Sequence, residues 1–367
     1  VTPTILISAG EPSGDLHGAP VVRALRERLP AARFEAFGGP RLREAGAQVR
    51  WPMERYTVLG LTEIISKVPA HYRLLRALRR EFAAGKYQLA ILIDYPGFHL
   101  RVAEAARAAG VPVLYYIAPQ LWAWRPDRAT RFAKAVDRFA VIFPFEAPFF
   151  HVHGLAADYV GHPLMDRPRG PTRDEARRTL GLGDADRVLA VFPGSRQQEL
   201  DRHWPAFRDA AHQLLAGGRI DAAVVAAIAD GRYPHPGPVV LHRSDSATVM
   251  AAADVALVKS GTTVLEAAIA DLPMVVAYRV HPLTAWFARR VMRVPWINLV
   301  NLITDQPVID ELLQGRVTAP NLAAGVAQLL EPASAAAQRR GLAAVRERLG
   351  GPGAAGRVAE LAMALLR

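Results

Sequence analysis

Short apolar runs alternate with longer stretches of helical period from one end of the chain to the other. That alternation predicts an α/β protein with parallel sheets. Residues 4–8 read as a first strand, followed by a glycine-bearing turn at 10–14 and a helix that Pro30 stops near Leu29. Residues 34–37 form the next predicted strand, ended by Gly38-Gly39-Pro40, and 89–93 a buried one. A helix over 98–109 closes at Gly110, and strands at 113–117 and 139–143 follow. After a linker rich in Pro and Gly at 163–171, Thr172 and Glu175 fit a capping box. The same grammar then resumes, with strands at 188–192, 222–227, 239–241, 255–258 and 274–277. Two helices, 333–349 and 354–366, separated by Gly350-Gly351-Pro352-Gly353, complete the pattern. It predicts two successive nucleotide-domain-like halves.

Composition narrows the class. A length of 367 residues suggests two domains at about 150 each. With 51% hydrophobic residues the chain has material for real cores, which excludes global disorder. The absence of cysteine excludes disulfides, thiolate metal sites and a thiol nucleophile, and fits a reducing compartment. Net charge is +11 and arginine dominates it, the lysines being Lys67, Lys86, Lys134 and Lys259 alone. Such a field favours phosphorylated substrates, anionic membrane or nucleic acid without choosing among them. No apolar run reaches the ~18 residues a membrane span needs, and residues 1–8 show no signal-peptide pattern. The expectation is a cytoplasmic protein, free or lying on a membrane surface.

Four turns carry candidate chemistry. Gly10, Glu11, Ser13 and Gly14 lie between the first strand and first helix, where open α/β sheets bind ligands. The competing reading is a tight turn with Ser13 or Asp15 as helix cap. Neither GxGxxG nor a Walker-type motif is present. Gly194, Ser195 and Arg196 follow a buried strand and offer a close backbone approach, a hydroxyl and a fixed charge for a phosphate. Ser260, Gly261, Thr262 and Thr263 open a helix whose free N–H groups suit a pyrophosphate, with Glu266 one turn on to reach ribose hydroxyls. Asp94 ends a strongly apolar strand and is a candidate general base, or else a helix cap. His151 and His153 have no third partner for a metal, and no metal is expected.

Taken in order, these turns resemble lipid-A-disaccharide synthases. The resemblance rests on Ala9 to Asp15, Pro119-Gln120-Leu121-Trp122-Ala123-Trp124-Arg125, Phe143-Pro144-Phe145-Glu146 and Gly161-His162-Pro163-Leu164. It continues through Pro193 to Arg196, Ser260 to Glu266, Pro273 to Arg279 and Asn301-Leu302-Ile303, and so covers nearly the whole chain. It implies two Rossmann-like domains facing each other across a cleft, the GT-B architecture. Residues 1–165, joined by helices at about 333–367, would bind the acceptor and lipid, and 172–332 the UDP-sugar. It implies transfer of 2,3-diacylglucosamine from UDP to 2,3-diacylglucosamine 1-phosphate, giving a β-1′,6 disaccharide 1-phosphate and UDP. No cofactor or dissociable metal is implied. Asp94 would be the base for the acceptor 6-hydroxyl. Arg196 and the turn from Ser260 to Thr263 would neutralise the diphosphate, with Gly194, Ser195 and Gly261 in the same site. Glu266 would hold the ribose, and Asn301 would lie near the donor. Gly10, Glu11, Ser13 and Gly14 would shape the acceptor side, and Leu59, Leu61, Ile64 and Ile65 would touch acyl chains. The resemblance also implies peripheral attachment to the inner face of the cytoplasmic membrane and a homodimer formed by C-terminal exchange.

The chain departs from the family pattern at Gly97, where an acid is usual, and at His99, where Asn is usual. Those departures put acceptor positioning in question. Two stretches look interfacial: 58–82, with Leu74, Leu75, Leu78 and Phe82 at helical spacing, and 283–293, where Leu283, Trp286 and Phe287 alternate with arginines. Competing readings are another UDP-sugar enzyme of the same architecture, such as a UDP-N-acetylglucosamine 2-epimerase, and a basic nucleic-acid-binding module using Trp122, Trp124 and Arg125.

Overall fold

Strands buried on both faces read as unbroken apolar runs, and those runs form the middles of two parallel sheets. The computed structural model describes residues 2–56, 63–124, 128–243, 245–292 and 294–366, with backbone alone for 63–66, 124, 288 and 289. Among the described residues, the first sheet contains β1 (Thr4–Ala9), β2 (Arg33–Gly38), β3 (Gln48–Pro52), β4 (Leu89–Ile93), β5 (Val113–Tyr116), β6 (Arg138–Val141) and β7 (Ala157–Tyr159). Its order is β3-β2-β1-β4-β5-β6-β7, parallel throughout. The second contains β8 (Val188–Phe192), β9 (Ala222–Ala226), β10 (Val240–His242), β11 (Val255–Lys259), β12 (Met274–Tyr278) and β13 (Glu311–Leu313), in the parallel order β10-β9-β8-β11-β12-β13. In each sheet the chain first runs outward on one side, then returns to the middle and runs out on the other. That reversal creates a switch point between β1 and β4, and another between β8 and β11.

Helix Glu63–Ala83 lays Leu74, Leu75, Leu78 and Phe82 into the core of the first sheet, all but sealed from solvent. The apolar stripe considered for a membrane surface is therefore core. Each such side chain withdrawn from water is worth ~1.5–3 kcal/mol, which fixes the rotation of the helix about its axis. Thr172 caps helix Arg173–Leu180 in the expected reciprocal arrangement with Glu175.

The chain divides into one compact unit of Val1–Arg167 with Leu349–Arg367, and a second of Pro168–Arg348. The two tail helices were expected to pack together on the first unit, and the structure separates them. Helix Pro332–Leu349 belongs, as far as Arg348, to the second unit because Gln338 bonds both the N–H and the C=O of Met274, and Arg346 reaches Asp271 and the Ala268 carbonyl. Helix Ala354–Leu365 joins the first. The Asp166 carboxylate accepts from the N–H groups of Gly353, Ala354 and Ala355, and Arg357 donates to the Val160 carbonyl.

Candidate functional site

Ala9 and Ile93 end side by side at the switch point of the first sheet. The turn bearing Gly10, Glu11 and Gly14 leaves one strand, and Asp94 leaves the other. Asp94 and Tyr95 both take left-handed backbone, with φ of 51° and 54°. Non-glycine residues there cost of order 1–3 kcal/mol each, so surrounding bonds must hold them. The Asp94 N–H donates to the Tyr116 carbonyl at 3.0 Å. Its own carbonyl accepts from the Tyr115 hydroxyl and from His99 Nδ1, both at 2.6 Å. Tyr95 packs so tightly on Gly10 that a Cβ there would lie 2.3 Å from the ring, and its hydroxyl bonds His71 Nε2 at 2.8 Å. Tyr95, not Asp94, occupies the N-cap position of helix Pro96–Ala108. Burial, then the nearby charge of Glu11, raise the Asp94 pKa above the usual carboxylate range against a bond from the Tyr95 N–H. A carboxylate so placed has the position and basicity of a general base.

His99 holds this arrangement from below. It is fully buried, and desolvation lowers its pKa to about 4, so the ring is neutral. Nδ1 faces a carbonyl and carries the proton, leaving Nε2 to accept from the Ser8 hydroxyl at 2.8 Å. His99→Ala is expected to lower kcat about ten-fold by releasing the Asp94 carbonyl, with substrate KM values within about two-fold. His99→Asn, which keeps a donor, should recover most of the loss, and unchanged kcat in the alanine variant would remove His99 from the site. The same ring links stability to pH. Its folded pKa lies below the unfolded value near 6.5, so it contributes about 3 kcal/mol above pH 6.5 that is lost as pH falls toward 4. Thermal unfolding of the wild type and His99→Asn across that window measures it.

Asp15 has another task than capping its own helix. Its carboxylate accepts from the N–H groups of Gly39, Arg41 and Leu42, which ties the first helix to the turn after β2. Ser13 is exposed on the same turn as Glu11 and makes no cap, the N-cap of that helix being Glu11.

At the other switch point, Phe192 and Val258 pair, and the loops after β8 and β11 wall a cavity of about 690 Å³. Gly194, Ser195, Arg196, Gly261, Thr262, Thr263 and Glu266 all line it. Gly194 has φ +142°, and a Cβ there would meet Glu199 Cβ at 2.5 Å, so the loop admits only glycine. Glu199 was not anticipated. Its carboxylate accepts from the Ser195 N–H at 2.9 Å and pairs with Lys259 Nζ at 2.8 Å, clamping one loop to the other. Burial would raise its pKa, but the Lys259 and Ser195 bonds outweigh burial and leave it lowered. The one available signal was its place a turn after Arg196. Arg243 also lines the cavity, its guanidinium steered by the Ile228 and Ala229 carbonyls. The wall thus combines Arg196, Arg243 and Lys259 with the N-terminus of helix Thr262–Ile269, a setting for a diphosphate.

Other expected residues fall elsewhere. Ser260 is buried at the end of β11, its N–H on the Ala277 carbonyl, and does not line the cavity. Asn301 is also buried away from it, because its carboxamide makes both bonds to the backbone of Ile309. Leu59 and Leu61 lie outside the described residues, as do the side chains of Ile64 and Ile65 in helix Glu63–Ala83. Trp122 is engaged inside its own unit. It donates to Glu146, a buried carboxylate pushed up to about 7 by desolvation, and packs edge-on against Phe145. The side chains of Trp124 and Arg125 lie outside the described residues. His151 and His153 bond the Ala157 and Phe149 carbonyls. No group of three His, Asp or Glu able to share a metal ion occurs among the described residues, and no helix among them is long and apolar enough to cross a membrane.

The lipid-A-disaccharide synthetase family model matches residues 5–351. The lipid-A-disaccharide synthase of Geobacter sulfurreducens is 39% identical over 377 residues, covering 99% of this chain and 97% of the relative. The chain belongs to the lipid-A-disaccharide synthase family. The Myxococcus xanthus synthase is 38% identical, with 99% of this chain and 98% of that relative covered. Among solved structures, a UDP-GlcNAc 2-epimerase from Neisseria meningitidis, bound to UDP-GlcNAc, superposes with a TM-score of 0.63 over 99% of each chain at 10% identity. The glycotransferase of kitacinnamycin also gives 0.63, over 100% of both chains at 17% identity. At those identities the likeness speaks to fold, a two-domain α/β architecture shared by epimerases and glycosyltransferases. In this member of the lipid-A-disaccharide synthase family, His99 places a buried imidazole under the Asp94 turn.

Proposed function

We propose that this chain transfers 2,3-diacylglucosamine from UDP to 2,3-diacylglucosamine 1-phosphate with inversion, forming the β-1′,6-linked lipid A disaccharide 1-phosphate. The observation that carries the reading is Asp94, a partly desolvated carboxylate at the switch point of the first unit. The acceptor 6-hydroxyl gives its proton to that carboxylate as oxygen attacks the donor anomeric carbon. The bond from that carbon to the diphosphate breaks, and UDP departs with the electron pair. Charge gathering on UDP is met in the second unit by Arg196, Arg243, Lys259 and the helix N–H groups, with Glu266 reaching for the ribose. The reading has transfer proceed without a dissociable metal, and turnover unaltered by EDTA is the expected outcome. Incubation with both sugars tests the whole reading by mass spectrometry of the lipid. Acceptor-dependent UDP release with a disaccharide 1-phosphate supports it, and UDP release without acceptor would point to an epimerase-like reaction instead.

The proposal extends to the inner face of the cytoplasmic membrane, where the lipid substrates would lie. Helix Pro282–Val291 exposes Leu283, Trp286 and Phe287 by 72%, 57% and 60%, with Arg290 stacked 3.6 Å over the Trp286 ring. Apolar anchors beside a cation suit an anionic bilayer surface. Anionic vesicles should sediment the protein at low salt, and the Trp286→Ala/Phe287→Ala pair should weaken that at least about ten-fold. Equal sedimentation of the pair would remove this helix from the interface. A homodimer by exchange of C-terminal parts belongs to the same proposal, with sedimentation velocity as its test.

A further inference from the structure

In the first unit a cavity of about 270 Å³ opens beside the Asp94 turn and is lined by Gly97, Arg101, Pro119, Gln120, Arg128 and Arg131, among others. It lies at the carboxyl edge of the sheet, between the segments that leave β4 and β5. Three arginines at one small cavity repel one another, so their company needs an explanation. Arg131 has one, because Glu104 takes it in a two-bond ion pair. Arg101 and Arg128 have no carboxylate partner among the described residues. Gly97 contributes no side chain, and nothing stands within 4 Å of where its Cβ would be, which leaves open space at that part of the wall. Among the described residues the cavity therefore presents two guanidinium groups with no carboxylate partner, and the Gln120 amide, whose NH2 adds a donor beside its acceptor oxygen.

We propose that this cavity binds the phosphomonoester of the acceptor sugar, an inference that rests on the glycosyl-transfer reading. A phosphomonoester carries close to two negative charges and three acceptor oxygens, which two guanidinium forks match. Three residues, at most ~11 Å of backbone, separate Asp94 from Gly97. A hexose 1-phosphate, whose 6-hydroxyl and phosphate are separated by a single pyranose ring, fits within that bound. Held at Arg101 and Arg128, the acceptor would present the 6-hydroxyl to Asp94, so the pair positions the nucleophile while taking no part in the proton transfer.

The test compares 2,3-diacylglucosamine 1-phosphate with the same sugar lacking phosphate, in the wild type and in Arg101→Ala/Arg128→Ala. The phosphorylated acceptor should lose at least about ten-fold in KM in the variant, with donor KM within about two-fold. The sugar lacking phosphate should not distinguish the two proteins. An unchanged acceptor KM, with the wild type active, overturns the cavity and leaves the transfer reading standing. If the wild type makes no disaccharide, the transfer reading fails, and chemical modification decides the cavity alone. Glucosamine 1-phosphate should protect Arg101 and Arg128 from phenylglyoxal, and glucosamine should not. Absence of protection, or protection by inorganic phosphate as strong as by the sugar phosphate, overturns the assignment to the acceptor. Both arginines are exposed, so the variants should fold, which thermal unfolding checks.

Discussion

Asp94→Asn is expected to lower kcat by about 10²–10⁴-fold, the usual worth of a positioned general base, with UDP affinity within about two-fold. The base must be ionised to accept the proton, so activity is lost as pH falls through its folded pKa. Burial and the charge of Glu11 raise that pKa, placing the acid limb of kcat/KM above that of an ordinary aspartate. Glu11→Gln should move the limb down. Stability gives the complementary sign. A carboxyl whose folded pKa is raised contributes stability at low pH that is lost as pH rises through that pKa, so at neutral pH the ionised group is a liability. Asp94→Asn should therefore raise Tm at pH 7, with the gain vanishing below the ordinary carboxylate range. An inactive variant that melts earlier would assign Asp94 to holding the left-handed turn.

Much of this was legible in the residue pattern, and the exceptions share a cause. β4 and β8 are buried along their whole length and read directly as apolar runs. β3, β7 and β13 went unread because each lies at a sheet edge, with one ladder partner and a half-exposed sequence such as Gln48-Val49-Arg50-Trp51-Pro52. The turns that wall the cavity of the second unit were readable as strand-to-helix corners, where glycine and hydroxyl residues concentrate. What they lacked was the third dimension. Glu199 joins Lys259 across sixty positions of sequence, and no local pattern announces that pair. Asn301 shows the converse: a polar residue within a shared motif reads as a ligand contact, while in the structure its carboxamide bonds both the N–H and the carbonyl of Ile309. Asp15 likewise serves a neighbouring turn, because a carboxylate caps whichever free N–H groups folding brings to it.

Arg196→Ala should weaken UDP binding about 10–100-fold, the range of a lost charge-assisted bond to a phosphate. The guanidinium lies on the cavity wall at the N-cap position of helix Gln197–Ala216, where the helix's own positive end already favours an anion. The arginine therefore adds to a field that persists in its absence, which bounds the loss. Uridine lacks the diphosphate and should bind wild type and variant alike, so the effect must grow with the number of phosphates. In turnover the loss should be larger than in binding, because charge builds on the diphosphate as the glycosidic bond breaks. Arg196→Lys keeps the charge without the planar fork and should recover only part of the affinity. Equal weakening of UDP and uridine would place Arg196 among the residues that shape the loop, and Lys259 and Arg243 would then carry the phosphate contacts alone.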